Sequence, residues 1–156
     1  MDEIKRELKL PDEDFRAVGI HEWEEIEEKL YERFVQFISV YEKPGWLWDH
    51  FKQEQYAVRF DYSNSVDQLL KLVPENEMVW LMLNETVSEK TKLWFYEGKI
   101  KQIVTALYES TYVDEIYIVS KKYEWLVCIN HHDVLIATGQ LMPGKLKELE
   151  KTLTAS

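Results

Sequence analysis

The chain of 156 residues has the length of one domain, and its composition excludes several classes of protein. Hydrophobic residues make up 46% and aromatic residues 13%, so the chain can build a core and does not resemble a disordered tail. The net charge of −10 argues against binding to nucleic acid or to anionic lipid, because both need clustered Lys and Arg. The single Cys excludes an internal disulfide.

Negative charge is concentrated at the start of the chain. Residues 1–28 hold eleven acidic and four basic side chains, which is a local net charge of −7. One interpretation is a solvated helix surface. The other is an acidic face that attracts and docks a basic partner, with candidate residues Glu24, Glu25, Glu27 and Glu28.

The chain has no visible repeat and no Gly- or Pro-rich linker, which predicts a single domain over residues 1–156. An alternative for residues 1–20 is a loosely packed N-terminal arm. The sequence has neither a signal-peptide pattern nor an apolar run of about eighteen residues. We therefore expect a cytoplasmic protein with no membrane contact.

The first third of the chain predicts two helices. Residues 2–9 form a short helix that ends near Pro11. Within residues 21–39, Trp23 and Ile26 begin a series of apolar side chains at steps of three and four residues. This spacing is typical of a helix with one buried stripe.

An aromatic segment of ambiguous period follows the break at Pro44 and Gly45. Most aromatic side chains of a chain this size belong to the core. Trp46 and Trp48, beside the break, are the candidates for exposed residues that anchor a partner protein.

The middle of the chain predicts a helix between two strands. Residues 55–61 alternate between apolar and polar, as a half-buried strand does. Ser65 followed by Gln68 matches a capping box, which predicts a short helix that ends at Pro74. Residues 78–83 are apolar on both sides, as in a strand that is covered on both faces.

The C-terminal half predicts mostly strands. In chain order we expect a strand over residues 92–96 ended by Gly98, a helix over 100–108, a hairpin of strands 115–120 and 123–129, a strand over 134–138, and a closing helix around Leu146, Leu149 and Leu153. Short connections favour antiparallel pairing, because parallel pairing needs a long crossover. We therefore predict an α+β fold, with a mostly antiparallel sheet of about five or six strands and helices packed on one side.

The richest polar cluster is Asn130-His131-His132-Asp133, directly after the predicted hairpin. One interpretation is structural, because Asn and Asp bond to nearby backbone donors at turns. A second is a polar loop that faces a partner. A third is a site for a small molecule or a metal ion.

The metal interpretation has specific requirements. In an extended chain Cys128 and His132 point to one side and His131 to the other, so His50 or His21 would have to complete a ligand set. No spaced pair of metal ligands occurs, and we predict neither a metal nor a cofactor. The sequence also lacks a nucleophile elbow and a phosphate-binding loop. These absences argue against an enzyme without excluding one.

A family resemblance rests on the stretch from Leu93 to Gly139, which contains LWFYEGKI and EIYIVSKKYEWLVCINHHDVLIATG. This stretch resembles a family of small, uncharacterised α+β proteins from Bacillus-like bacteria that carry a similar tyrosine-rich strand, a Trp and an Asn-His-His-Asp turn. In size, acidity and fold class the chain is also similar to the Smi1/Knr4-like immunity proteins, which neutralise toxins. That second resemblance is an analogy of fold and charge.

The leading hypothesis is a non-enzymatic protein-binding module, of the immunity or antitoxin kind, that inhibits a basic toxin domain. The alternative is a metal-dependent or small-molecule enzyme that uses the Asn130–Asp133 cluster. A third hypothesis is that the protein is a structural subunit of a homo-oligomer.

Overall fold

The computed structural model describes residues 1–36, 46–60, 64–84, 93–110 and 113–155. The helices within these ranges are α1 (Asp2–Glu7), α2 (Trp23–Phe34), α3 (Ser65–Leu72), α4 (Ile100–Glu109) and α5 (Met142–Thr154), with a 3-10 helix at Leu47–His50. The strands are β1 (Phe15–Ala17), β2 (Gln55–Val58), β3 (Met78–Asn84), β4 (Trp94–Lys99), β5 (Glu115–Ser120), β6 (Trp125–Ile129) and β7 (Leu135–Gly139).

The strands form one seven-stranded sheet in the order β1-β4-β3-β5-β6-β7-β2. Every neighbouring pair is antiparallel, which confirms the predicted α+β class and the predicted pairing. The predicted hairpin of β5 and β6 is present, with Ile116 opposite Ile129. The sheet is larger than expected because β1, a strand of three residues, is too short to give a visible alternation.

Both faces of the sheet are covered, each by its own core. Val79 and Leu81 of β3 belong to the core that also holds buried residues of α1, α3, α4 and α5. Met82 belongs to a second core on the opposite face, with the apolar stripe of α2 and Leu47. Four helices therefore lie on one side of the sheet, as predicted. The prediction is wrong for α2, which lies on the opposite side. Because the central strands are apolar on both sides, each face needs cover.

The N-terminal residues are part of the packed domain and do not form a loose arm. Met1 and Ile4 are buried, and Phe15 is 1% exposed and stacks on Tyr96 with ring centroids 5.6 Å apart. Gly98 lies inside β4 and does not end it. A Cβ at Gly98 would come within 2.8 Å of the Phe15 ring, so the glycine makes room for the first strand.

Some predicted features lie outside the described residues. These are the last part of the predicted helix over residues 21–39, the break at Pro44 and Gly45, and one end of each of the predicted strands 55–61 and 92–96. Within the described ranges, no helix combines the length and the apolar character that crossing a bilayer requires.

Candidate functional site

The predicted polar cluster forms the turn between β6 and β7, and two of its four side chains hold the backbone. Asn130 Oδ1 accepts hydrogen bonds from the backbone N–H groups of His132 at 3.0 Å and Val134 at 3.1 Å. Asp133 takes a left-handed φ of 55°, which its residue type tolerates. Asn130 and Asp133 therefore stabilise the turn, which is the role that the structural interpretation gives them.

The same turn is tied to the start of α3. The Ser65 hydroxyl donates to the Asp133 backbone carbonyl at 2.9 Å, and the Ser65 N–H donates to the Asp133 carboxylate at 3.3 Å. Ser65 is therefore not the capping residue that the sequence predicted. Asn64 caps the helix instead, since its side chain accepts from the Val66 N–H at 2.8 Å.

The turn presents His131 to a buried carboxylate, Glu115, at the start of β5. His131 Nδ1 lies 2.6 Å from Glu115 Oε1. Glu115 is 1% exposed, whereas the His131 side chain is 25% exposed. Burial raises the pKa of Glu115 above its ordinary value, and the hydrogen bond from His131 offsets only part of that rise. The pair therefore joins a buried carboxyl group to an imidazole at the surface.

Two buried polar atoms beside this pair have no hydrogen-bond partner among the described residues. They are Glu115 Oε2 and Trp48 Nε1, an acceptor and a donor. The Trp48 indole is near enough to lower the pKa of Glu115, although the two atoms do not meet hydrogen-bond geometry. The indole N–H is therefore a donor placed beside the buried carboxylate, and neither atom is open to solvent.

Aromatic rings surround His131. Trp46 and Trp48 stack with centroids 6.0 Å apart, and their rings lie 5.2 and 6.2 Å from that of His131. The His132 ring is 3.9 Å from His131 on another side. Two segments that the sequence singled out separately, the Trp46/Trp48 pair and the polar turn, thus form one cluster. Trp46 is 39% exposed and Trp48 is half-buried.

Cys128 lies in the core beneath this cluster. It is fully buried and sits opposite Tyr117 in the neighbouring strand. Burial raises the pKa of its thiol well above the ordinary value. The Tyr117 hydroxyl accepts a hydrogen bond from the Leu47 N–H at 3.1 Å, which attaches the 3-10 helix to the sheet. The Cys128 and Tyr117 side chains therefore belong to the core on which the cluster packs.

The structure does not bring together the ligand set that the metal interpretation requires. In the part of the chain that is described, no three His, Cys, Asp or Glu side chains converge as metal ligands. His131 has Glu115 as its carboxylate neighbour, and the carboxylate of Asp133 accepts from the Ser65 backbone.

The predicted acidic residues lie on α2, and three of them are exposed. Glu24, Glu25 and Glu28 face solvent, and Glu27 is half-buried. Glu25 forms an i,i+4 ion pair with Lys29 at 2.7 Å, which lowers the pKa of that carboxyl. Exposed pairs of this kind contribute little to stability. Most of this negative surface is therefore available to a partner.

An apolar groove of about 490 Å³ adjoins the first half of α2. Trp23 and Glu27 of α2 line one side of it, and Trp94 of β4 lines the other. Ile20, also in its lining, is 77% exposed. The two charged side chains in the described lining, Asp2 and Glu27, are both carboxylates.

The second half of α2 has the opposite charge. A smaller cavity of about 300 Å³ is lined by Lys29 and Arg33 of α2 and by Lys122 of the β5–β6 turn, together with Glu32 and Tyr123. The Arg33 side chain also donates to the Tyr123 carbonyl at 3.2 Å. Acidic residues in the first half of a helix and basic residues in the second complement its dipole.

Several of these features share one face of the sheet, which we call the α2 face. It comprises α2 and the segment 46–51, whereas the groove lies at the edge of the sheet and is lined in part by Asp2 of α1 and by Tyr96 from the opposite face. Backbone contacts join the two segments, since Gln36 N–H donates to the His50 carbonyl at 2.7 Å and Val35 bridges to Phe51. The six residues proposed from sequence as partner-binding therefore lie on the same face.

Sequence reasoning missed two parts of this surface. Glu115 was read only as the start of a strand, although a single carboxylate that heads the apolar run Ile116–Val119 needs a buried partner. The groove was missed because it depends on pairing between β1 and β4, which brings Val18 beside Phe95 with a hydrogen bond of 2.9 Å. No local pattern reports that pairing.

The fold and this surface define a class of protein: an α+β domain with a seven-stranded antiparallel sheet and one acidic, aromatic face. The chain belongs to a family of unknown function, DUF6756, whose model matches residues 1–150. Comparison with curated proteins and with solved structures found no match.

Proposed function

We propose that this protein is a non-enzymatic binding module that docks a basic partner protein on its α2 face. One observation carries the proposal: the exposed carboxylates of α2 and the exposed ring of Trp46 lie on the same side of the sheet. Charged residues at the rim of an interface steer association, and aromatic residues anchor it. A face that holds both suits a partner with positive charge and an apolar contact surface.

The finer form of the proposal is an immunity- or antitoxin-like inhibitor of a basic toxin domain. A toxin that acts on nucleic acid needs a positive cleft to neutralise phosphates. A protein of net charge −10 complements such a cleft. The similarity to Smi1/Knr4-like immunity proteins in size and acidity supports the same reading.

The test measures association kinetics with each positively charged protein encoded beside this one. We expect the association rate to fall steeply between about 50 and 200 mM salt, because the Debye length shortens. Glu24→Gln with Glu28→Gln should lower the rate by about two- to tenfold at low salt. The matched control is Glu75→Gln with Glu109→Gln, which removes the same charge from two exposed residues, one next to the start of α4 and one at its end.

Equal effects of the two double variants would overturn docking on the α2 face. Binding to none of these partners would overturn the proposal itself. Light scattering of the protein alone tests the homo-oligomer reading, since a stable dimer that buries Trp46 would occupy the same face.

A second candidate function, a small-molecule site with acid–base chemistry, is favoured by the geometry of His131. Its Nδ1 is held by the Glu115 carboxylate, which leaves Nε2 as the atom that can exchange a proton with a substrate. A hydroxyl group that contacts Nε2 is the substrate chemistry that this geometry suits. In this form the alternative relies on His131 and Glu115, since Asn130 and Asp133 hold the turn.

Thermal-shift screening with small hydroxylated compounds tests this candidate. A hit should lose its effect in His131→Gln and keep it in His132→Gln, which alters the neighbouring ring 3.9 Å away and leaves the hydrogen bond between His131 and Glu115 in place. Elemental analysis of protein purified without an affinity tag tests the metal-dependent form. Hits that respond equally to both variants would count against the candidate.

A further inference from the structure

We infer that the basic cavity at the second half of α2 receives a carboxylate side chain of the partner. The basic cavity is the space of about 300 Å³ lined by Lys29, Arg33 and Lys122, together with Glu32 and Tyr123. The inference rests on the proposed function and names the chemistry of one contact in it. An acidic residue of the partner at this position fixes how the partner lies along α2.

The structure holds the Arg33 guanidinium in place and leaves its outer edge open. Its Nε donates to the Tyr123 carbonyl at 3.2 Å, and the Gln53 side chain donates to the Arg33 carbonyl at 2.6 Å. Among the described residues, neither Nη group of Arg33 has a hydrogen-bond or ion-pair partner. A guanidinium with both Nη groups open can donate to both oxygens of one carboxylate.

Lys122 adds a second cation from a distant part of the chain. It is exposed in the β5–β6 turn, and its ammonium group has no hydrogen-bond or ion-pair partner within the described ranges. The turn is fixed, since the Tyr123 N–H donates to the Ser120 carbonyl at 2.9 Å. Because Tyr123 also binds Arg33, the turn and the helix place the two cations around one cavity.

The end of α2 does not need these two cations as caps. The side chains of Lys52 and Gln53 already donate to the backbone carbonyls of Glu32 and Arg33, near the end of the helix. The carbonyl groups at a helix end are satisfied by contacts of this kind. The outer edge of Arg33 and the ammonium group of Lys122 are therefore left for a ligand.

The charge of the lining suits an anion with a single charge. Three cationic side chains and one carboxylate line the cavity, which is a net charge of +2. Lys29 forms its ion pair with Glu25, outside the lining, at 2.7 Å. One positive charge then stays unbalanced. A carboxylate balances it, whereas a doubly charged phosphate exceeds it.

The contact gives the proposed docking a direction. At 1.5 Å per residue, Arg33 lies about 8 Å along the helix axis from Glu28 and about 14 Å from Glu24. A partner with basic residues at one end of its surface and an acidic residue at the other matches α2 in one orientation. In the reversed orientation like charges meet, which is unfavourable.

The first experiment uses a basic partner protein found by the association assay above. Arg33→Gln with Lys122→Gln removes two positive charges, so attraction by net charge alone predicts faster association and tighter binding. The carboxylate contact predicts the opposite sign for affinity, with dissociation at least about fivefold faster. The matched control, Lys101→Gln with Lys147→Gln, removes the same charge from exposed residues of α4 and α5 and should leave dissociation unchanged. Tighter binding, or equal effects of the two double variants, would overturn the inference.

The second experiment needs no partner protein. It titrates the protein with the peptide acetyl-Gly-Glu-Gly-amide and follows the Arg33 Nε–H signal by NMR, with a second peptide that carries Gln in place of Glu. We expect saturable shifts with the Glu peptide and binding at least about tenfold weaker for the Gln peptide. Equal binding of the two peptides, or tighter binding of inorganic phosphate than of the Glu peptide, would contradict a carboxylate site.

Lys122→Gln locates the contact without touching the hydrogen bond between Arg33 and Tyr123. It should weaken the Glu peptide by about three- to tenfold, whereas Lys101→Gln should have little effect. Circular dichroism checks that both variants are folded. Equal effects would mean that only general charge matters, which is incompatible with a contact in the basic cavity.

The outcomes separate this inference from the proposed function. If Glu24→Gln with Glu28→Gln slows association with the partner while Arg33→Gln with Lys122→Gln leaves dissociation unchanged, the carboxylate contact is wrong and docking on the α2 face stands. If neither double variant alters binding, both are wrong.

Discussion

The contact between His131 and Glu115 should show strong energetic coupling. The two side chains meet at 2.6 Å, and the carboxylate is 1% exposed. Removing one partner of a buried hydrogen bond leaves the other unpaired, at a cost of about 1–3 kcal/mol that is larger for a charged group. Because the His131 side chain is 25% exposed, water reaches the carboxylate once the ring is gone. We therefore reduce the expected coupling to about 2 kcal/mol.

A double-mutant cycle measures this coupling. Urea unfolding at pH 7, followed by Trp fluorescence, gives the free energy of unfolding of the wild type, His131→Ala, Glu115→Gln and the double variant. We expect His131→Ala to lose about 2 kcal/mol more when Glu115 is present than in the Glu115→Gln background, because Gln leaves no buried charge. The lost ring contact with Trp46 occurs in both backgrounds and cancels.

His132→Ala is the control for this cycle, since the His132 ring lies 3.9 Å from that of His131 in a tilted arrangement, whereas the hydrogen bond to Glu115 comes from His131. Its effect should be the same in both backgrounds. Additive losses for His131→Ala and Glu115→Gln would refute the coupling, and the second candidate function would lose its main support.

Four further predictions concern stability and reactivity. The wild type should lose free energy of unfolding relative to Glu115→Gln as the pH rises above about 4.5, because a carboxyl whose pKa is raised in the folded state stabilises the protein only while it stays protonated. Gly98→Ala should cost about 1–3 kcal/mol in the same assay, because its Cβ would meet the Phe15 ring, whereas Gly144→Ala, with nothing within 4 Å, should be neutral or stabilising. Asn64→Ala should cost about 1 kcal/mol through loss of the helix cap. Cys128 should resist a thiol reagent at pH 8 in the folded protein and react in urea, and fast reaction without urea would contradict its burial.

The predicted sheet came from patterns that report local surroundings. The run of apolar residues in β3 indicated a strand covered on both faces, and the spacing of Trp23 and Ile26 indicated the buried stripe of α2. Neither pattern states which face of the sheet a helix covers. The placement of α2 on the opposite face from the other helices therefore could not be predicted.

The candidate surface was predicted in separate pieces. The turn of Asn130–Asp133 and the pair Trp46 and Trp48 were both visible in the sequence. Their contact depends on the 3-10 helix lying over the ends of β5 and β6, which are more than sixty residues away along the chain. Glu115 meets His131 because β5 pairs with β6 and sets Ile116 opposite Ile129, and the sequence analysis treated this carboxylate only as the start of a strand.

The two edges of the sheet have a consequence for the order in which the molecule assembles. β1 pairs with β4, and β2 pairs with β7, so each edge strand finds its partner about eighty residues further along the chain. During synthesis the first sixty residues leave the ribosome with no strand to join, and β2 waits until residue 139 has been made. The hairpins of β5, β6 and β7 can form from nearby residues. The N-terminal strands β1 and β2 then pair with the two edges of the sheet and complete it.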